Sequence, residues 1–363
     1  MNHYPSNVKE KLNSIILSMA EHHWLFSKNP GHDFTRQHLG KLSFYDTMRL
    51  IISMGKGSTN DEIMGYFDLD PDLIPSQSAF CQRRRQISLS AFEYLFSEFS
   101  SSFPSTTDKF KDHCILACDG CHVVYATNSD IIEDYNKPRL IDYKGYNHMH
   151  LNGFVDVISK AFLDVVIQPG QQPDEREALH SMLDHFTPDD PQKYIITADR
   201  GYESYDLLFH CELKNLGYVF RVKSPSSPKS ILSYYASELP DDLEEFDVTI
   251  KRFFTDKATN IMKSQSDVYR YINPSKNTPH FYELLRKNHS HLYFLQFRVV
   301  KIKTAENTYE YLITNLPFSF TLDDIQECYH WRWGIEISFR YVKHATGLLY
   351  FHSKQPEFLK QEI

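Results

Sequence analysis

The sequence predicts a mixed α/β protein preceded by a helical region, and three observations lead there. From Val8 to about Ser102 the apolar residues recur at helical spacing. After Lys111 the texture changes to short apolar and β-branched runs broken by polar turns. Beyond Pro317 a helical pattern returns, opened by a capping sequence. At 363 residues, 41% hydrophobic and 24% charged, the chain is long enough for a large core and too mixed to be disordered, collagenous or a continuous coiled coil.

In the first part, Leu12, Ile15, Ile16 and Met19 form one apolar stripe and Met48, Ile51 and Ile52 another. Gly55, Gly57 and Ser58 make a turn ahead of Asp61 and Glu62, and Ser76 precedes a helix carrying Arg83, Arg84 and Arg85. Two short helices about a turn suit DNA contact as well as a plain helical bundle. Residues 1–105 are therefore assigned as a helical N-terminal region with DNA binding as its expected role, and the polar stretch from Ser100 to Lys111, with Pro104, is the first boundary.

Strands are expected over Cys114 to Ala126, His150 to Ser159, Ala161 to Gln168 and Tyr194 to Ala198, with a helix from Asp174 to Phe186. These fall in the segment 111–223, the first part of a core. From Ser224 the pattern loosens through Ser-Pro-Ser-Ser-Pro, passes an acidic cluster from Glu238 to Asp247, and turns basic. The segment 224–307 reads as a β-rich insertion. A last strand, Tyr309 to Asn315, and a helix capped by Thr321-Leu-Asp-Asp and running to about Gly347 make up 308–363.

The net charge of −8 argues, averaged over the chain, against a nucleic-acid partner. The average conceals a local excess. Between Lys251 and Lys303 eleven basic residues stand against three acidic ones, a net of +8, with Phe253, Phe254, Tyr269 and Tyr271 interleaved. Lys251 and Arg252 open this stretch as candidate phosphate contacts. Six cysteines are too sparse for a disulfide scaffold. No basic-then-apolar leader opens the chain and no apolar run spans a bilayer, so a cytoplasmic setting without membrane contact is expected.

Chemistry concentrates at few positions. Asp119 lies in the apolar run Ile115-Leu-Ala-Cys-Asp-Gly and Asp199 follows Tyr194-Ile-Ile-Thr-Ala, so each carboxylate sits on or at the end of a buried strand, where desolvation needs a compensating reason. Tyr329, Arg332, Glu336 and Lys343, projected at about 100° per residue, share a stripe roughly 60° wide on one helix. Taken alone, that stripe reads as a solvated ion-pair face. Asp119, Asp199 and Glu336 together make a hard oxygen donor set suited to Mg²⁺ or Mn²⁺ and to two-metal phosphoryl transfer. Cys118-Asp-Gly-Cys121, between His113 and His122, is read as a structural thiol pair, and His148 and His150 as core or solvated histidines. Asp174-Glu-Arg176 is read as a helix start, with Arg176 pairing to an acidic neighbour.

Asp119, then Asp199-Arg200-Gly201-Tyr202, then Tyr329-x2-Arg332-x3-Glu336-x6-Lys343 resembles the DDE transposases of bacterial insertion sequences, in the group marked by a Tyr-Arg-Glu-Lys signature. Phe34-Thr-Arg, Lys41-Leu-Ser-Phe and Ser78-Ala-Phe-Cys-Gln-Arg-Arg-Arg also look like that group's N-terminal region. The resemblance implies an RNase H-like catalytic core with a mainly β insertion between Asp199 and Glu336. It implies metal ligation by Asp119, Asp199 and Glu336, contact with transposon-end DNA by Tyr329, Arg332 and Lys343, and Trp333 beside a base displaced during hairpin formation. Such enzymes cleave transposon ends, join them to target DNA and act as homodimers at the bacterial nucleoid. The chain ends twenty residues past Lys343, which reads as a truncated copy or fragment. A catalytically idle end-binding remnant and a non-transposing nuclease are the alternatives.

Overall fold

The computed structural model describes residues 4–35, 41–102, 109–138, 144–273, 278–344 and 348–363. Expectations that fell on Arg36, Pro104, Lys276 and Gly347 lie outside the described residues.

Five helices come first: α1 (Tyr4–Glu21), α2 (Phe44–Ser53), α3 (Thr59–Tyr66), α4 (Gln77–Gln86) and α5 (Leu89–Ser101). Their starts are set locally. Ser43 with Asp46 and Ser58 with Asp61 form capping boxes for α2 and α3, and the Ser76 hydroxyl accepts from the Ala79 N–H at the start of α4. Ile16, Met19, Phe44, Met48, Ile51 and Phe80 fill a core of their own, while Ile52 turns outward.

The strands are β1 (Cys114–Tyr125), β2 (Tyr135–Asn136), β3 (Tyr146–Asp156), β4 (Ala161–Pro169), β5 (Tyr194–Ala198), β6 (Gly217–Val222), β7 (Phe246–Thr255), β8 (Tyr269–Tyr271), β9 (Leu292–Ala305) and β10 (Thr308–Thr314). They form one mixed sheet in the order β2-β3-β1-β5-β6-β10-β9-β7-β8, with β4 also on β3. β1, β3 and β4 are an antiparallel meander, whereas β5 and β6 run parallel to β1. The segment 224–307, expected as an insertion, supplies β7, β8 and β9 to this same sheet. Strand β9 is long enough to pair with both β7 and β10, and this joins the segment to the core.

Helices cover both faces, as parallel strands require. α6 (Glu175–His185), α7 (Tyr205–Leu213), α8 (Asn260–Ser264) and α9 (Pro279–Lys287) intervene between strands, and α10 (Leu322–His330), α11 (Gly334–His344) and α12 (Pro356–Glu362) follow them. Leu179 and Met182 of α6, Leu207 and Leu208 of α7, and Phe281 of α9 join Leu116 and Cys118 on one face. Ile325 and Cys328 of α10, with Ile335 and Phe339 of α11, join Ile115 and Ala117 on the other. No helix among the described residues is long and apolar enough to cross a membrane.

Two expectations change here. The single long helix after Thr321 is two helices joined by a 3₁₀ turn, Trp331–Trp333, in which the backbone stays right-handed but tightens. Gly334, the first residue of α11, packs closely on the end of β3: a Cβ there would lie 3.1 Å from the Val157 Cβ and 3.2 Å from its carbonyl oxygen. Arg84, one of the three arginines on α4 in the region expected to bind DNA, is buried. Its guanidinium donates to Gln361 Oε1 at 2.7 Å, pairs with Glu362 at 2.7 Å and reaches the Phe358 carbonyl. It fastens the helical part to α12.

Candidate active site

The registry of two parallel strands begins the site. Ala117 lies beside Thr197, so two residues further on Asp119, still within β1, comes beside Asp199, just past the end of β5. Side chains alternate along a strand, and Asp119 shares the Ala117 face, toward α10 and α11. Asp119 Oδ1 accepts the Gly120 N–H at 2.8 Å, and Asp199 Oδ1 accepts the Gly201 N–H at 2.7 Å. Each aspartate is thus held by a backbone N–H one or two residues further along the chain.

Arg332 comes to this pair from the 3₁₀ turn. Nη1 is 3.4 Å from Asp119 Oδ2 and Nη2 is 3.5 Å from Glu336 Oε1. The guanidinium therefore lies between two of the three candidate metal ligands. Burial works against its charge, yet Tyr329, Asp119 and Asp199 around it raise its pKa above the ordinary guanidinium value. Tyr329 is buried with its ring 5.6 Å from the Arg332 guanidinium, and the Trp333 ring lies 5.3 Å from the same guanidinium. Trp333 is 51% exposed, so it is not part of the packed core. Lys343 reaches the Cys121 thiol on β1, which burial pushes up in pKa and the Lys343 hydrogen bond draws back.

A fourth carboxylate, missed as a site residue in the sequence, stands across the strand end. Asp174 caps α6 through the N–H groups of Arg176 and Glu177, which puts Glu175 in the first helical turn. Glu175 Oε1 is 3.1 Å from His150 Nε2. A Cβ on Gly120 would fall 2.2 Å from that nitrogen and 2.8 Å from Glu175 Oε1, so glycine at 120 is what admits both groups. The signal lay in the Asp-Glu-Arg capping triplet, whose position over the sheet end only the fold supplies. Arg176 does not take the acidic partner expected of it and donates instead to the Gly201 carbonyl at 2.9 Å.

The electrostatics are those of a crowded anionic site. Burial pushes the Asp119 carboxyl up to about 6; Gly120 and Arg332 draw it down, while Asp199 and Glu175 push it further up. Clustered carboxylates of this kind are a fitting donor set for a hard divalent cation. Ligand atoms of Asp119, Asp199 and Glu336 do not gather as closely as the one group of three that does so among the described residues, His180, His210 and His280. Arg332 holds the place between Asp119 and Glu336.

The basic stretch is another correction. Lys251 is exposed, but Arg252 is buried against Glu238 and over the Tyr235 ring. Arg298 pairs with Asp247, Lys301 lies 3.1 Å from Asp241 and Lys303 2.6 Å from Glu244. The acidic cluster at 238–247 folds onto the basic strands and consumes much of the +8. Arg252 is thus a structural cation, unavailable to a phosphate.

Among the described residues no disulfide joins the cysteines, and Cys118 is buried with its Sγ 3.5 Å from the Tyr202 hydroxyl. His148 and His150 are buried and stack edge-on with His122.

Residues 110–363 match the family described as the transposase DDE domain. The chain belongs to that family. The DDE domain so matched contains every residue of the site, from Asp119 to Lys343, and leaves the five N-terminal helices outside it. Among solved structures, the chain is similar to piggyBac transposase in a synaptic complex with hairpin DNA: 10% identical, TM-score 0.39, covering 97% of this chain and 62% of that one. The chain thus spans less than two thirds of that protein's length. No curated protein matches it.

Proposed function

We propose that this DDE-family chain is a transposase of the Tyr-Arg-Glu-Lys group, of bacterial insertion-sequence origin, that cleaves DNA at transposon ends and joins the freed 3′-hydroxyl to target DNA. The observation that carries this reading is the placement of Asp119, within β1, beside Asp199, at the end of the adjacent parallel strand β5, with Glu336 tied to Asp119 through Arg332. The strand order β4-β3-β1-β5-β6, antiparallel then parallel, supports an RNase H-like core.

In this mechanism Asp119, Asp199 and Glu336 hold Mg²⁺ or Mn²⁺. Ions held there would supply Lewis acidity to the attacking and leaving oxygens of an in-line displacement. Arg332, already beside two of the carboxylates, orients the scissile phosphate with its planar fork, and Lys343 offers a second positive contact further along β1. Tyr329 backs the guanidinium, and exposed Trp333 offers a ring face to a nucleobase. Arg332 must yield its carboxylate contacts to a cation as it turns to phosphate. A homodimer engaging two ends is the proposed assembly.

The test is an assay on DNA carrying the element's inverted-repeat ends, with Mg²⁺, scored for end cleavage and for joining to a target plasmid. Wild type is expected to do both and Glu336→Gln neither. Cleavage without joining would replace this reading with a plain nuclease, and salt-sensitive end binding without cleavage would replace it with an idle remnant.

A further inference from the structure

The acidic cluster at 238–247 takes up Arg252, Arg298, Lys301 and Lys303, yet three cations of the same basic stretch lie outside this pairing. Lys257 follows β7, Lys263 is on α8, and Arg270 is on β8, the edge strand of the sheet. All three line one cavity of about 180 Å³, together with Tyr234, Tyr269 and Tyr271. Among the described residues no carboxylate lines it and none forms an ion pair with the three; Asp256, next to Lys257, is taken by His291 at 2.9 Å.

Arg270 is built into the wall. Its guanidinium lies 3.7 Å from the centre of the Tyr234 ring and 5.7 Å from that of Tyr205, and the Tyr234 hydroxyl lies 3.4 Å from the carbonyl oxygens of Ser266 and Tyr269. The stack fixes the plane of the fork. Arg270 Nε is buried with no hydrogen-bond partner, whereas buried polar groups are normally satisfied. Lys257 and Lys263 are exposed at the rim, and Lys263 is held there by α8, whose cap Thr259 accepts the Met262 N–H at 3.2 Å. Three positive charges about one cavity with no counter-charge repel one another, and an anion among them turns that repulsion into attraction. A fixed guanidinium fork with two mobile ammonium groups suits phosphate, and the tyrosines suit the sugar and base beside it.

We propose that Lys257, Lys263 and Arg270 form one phosphate pocket that takes a single backbone phosphate of duplex DNA, apart from the carboxylate site. The proposal rests on the reading that DNA is the substrate of this chain. Five strands separate β8 from β1 in the sheet order. At about 4.8 Å per strand spacing this places the pocket roughly 29 Å from the strand that bears Asp119, or about eight base pairs along a duplex. The pocket thus holds the flank of the DNA, and the reacting phosphate stays with Arg332.

The test measures binding of the full chain to a duplex of about 20 base pairs, long enough to span that separation, across a salt series. Chelator is present throughout, so a chain that binds DNA without ever cleaving it, which would undo the transposase reading, still gives a result here. Lys257→Ala and Lys263→Ala combined in one chain should weaken binding at low salt by at least about tenfold. The slope of log affinity against log salt should fall by about one, because both lysines serve one phosphate. Both side chains are exposed, so this variant keeps the test clear of folding; Arg270→Gln, with its melting temperature checked, should weaken binding in the same way. A free mononucleotide is titrated alongside as the other source of phosphate, and the duplex is expected to displace it. Wild-type duplex affinity in the double lysine variant would overturn the proposal. So would a fall in slope of about two, the mark of two separate surface contacts. Mononucleotide binding that the double variant abolishes while duplex binding is unchanged would overturn it as well.

Discussion

Arg332 and Asp119 face each other across the sheet end, with Nη1 and Oδ2 3.4 Å apart, and the same guanidinium is 3.5 Å from Glu336. One cation therefore connects a strand-borne and a helix-borne carboxylate that lie far apart in the chain. Removing it leaves Asp119 beside Asp199 and Glu175 with no counter-charge, and takes away the group that orients the phosphate. Arg332→Ala is expected to slow single-turnover end cleavage by about 10²- to 10³-fold. Arg332→Lys should recover little, because an ammonium cannot reach both carboxylates as a planar fork does.

Asp119 also sets a pH dependence. Its folded-state value, raised to about 6, lies above the ordinary 3.8, so the folded chain holds this proton more tightly than the unfolded chain. Its contribution to stability is therefore fullest below the ordinary value and is lost as pH rises through about 6. A divalent cation needs the ionised form, so stabilisation by Mg²⁺ must grow across the same window. Melting curves with chelator and with Mg²⁺, at about pH 5 and about pH 7.5, are expected to separate further at the higher pH, and Asp119→Asn should abolish the difference.

Arg84 supplies a prediction about stability alone. It is buried with Gln361, Glu362 and the Phe358 carbonyl, and removing it strands a buried carboxylate whose pKa Arg84 helps to lower against burial. Arg84→Ala is expected to destabilise the chain by about 3 to 5 kcal/mol in denaturant unfolding.

Lys251 and Arg252, neighbours in sequence, should behave oppositely. Lys251 is exposed on β7 whereas Arg252 is buried on Glu238. Lys251→Ala should reduce the slope of log affinity for DNA against log salt by about one, with stability unchanged. Arg252→Ala should lower the melting temperature and leave that slope as it was.

What the sequence made legible follows from locality. The strands bearing Asp119 and Asp199 are runs of buried residues with their own boundaries, and the caps at Ser58, Ser76, Asp174 and Thr321 act within a few residues. The 3₁₀ turn at Trp331–Trp333 was not legible, since no glycine or proline lies within it, and the close approach of Gly334 to Val157 beside it is a tertiary contact. Nor was the neutralisation of the basic stretch, because the pairing of Asp247 with Arg298 and of Asp241 with Lys301 is a tertiary contact. The place of Glu175 depends on a helix meeting the sheet, which no spacing records.

The most direct test of the account is Mg²⁺-dependent single-turnover cleavage of inverted-repeat end DNA by wild type, Asp119→Asn, Asp199→Asn and Glu336→Gln side by side. The account predicts cleavage by wild type alone, abolished by chelator, with each variant slower by at least about 10³-fold while still folded and binding the ends. Cleavage at the wild-type rate by any of the three variants would contradict it.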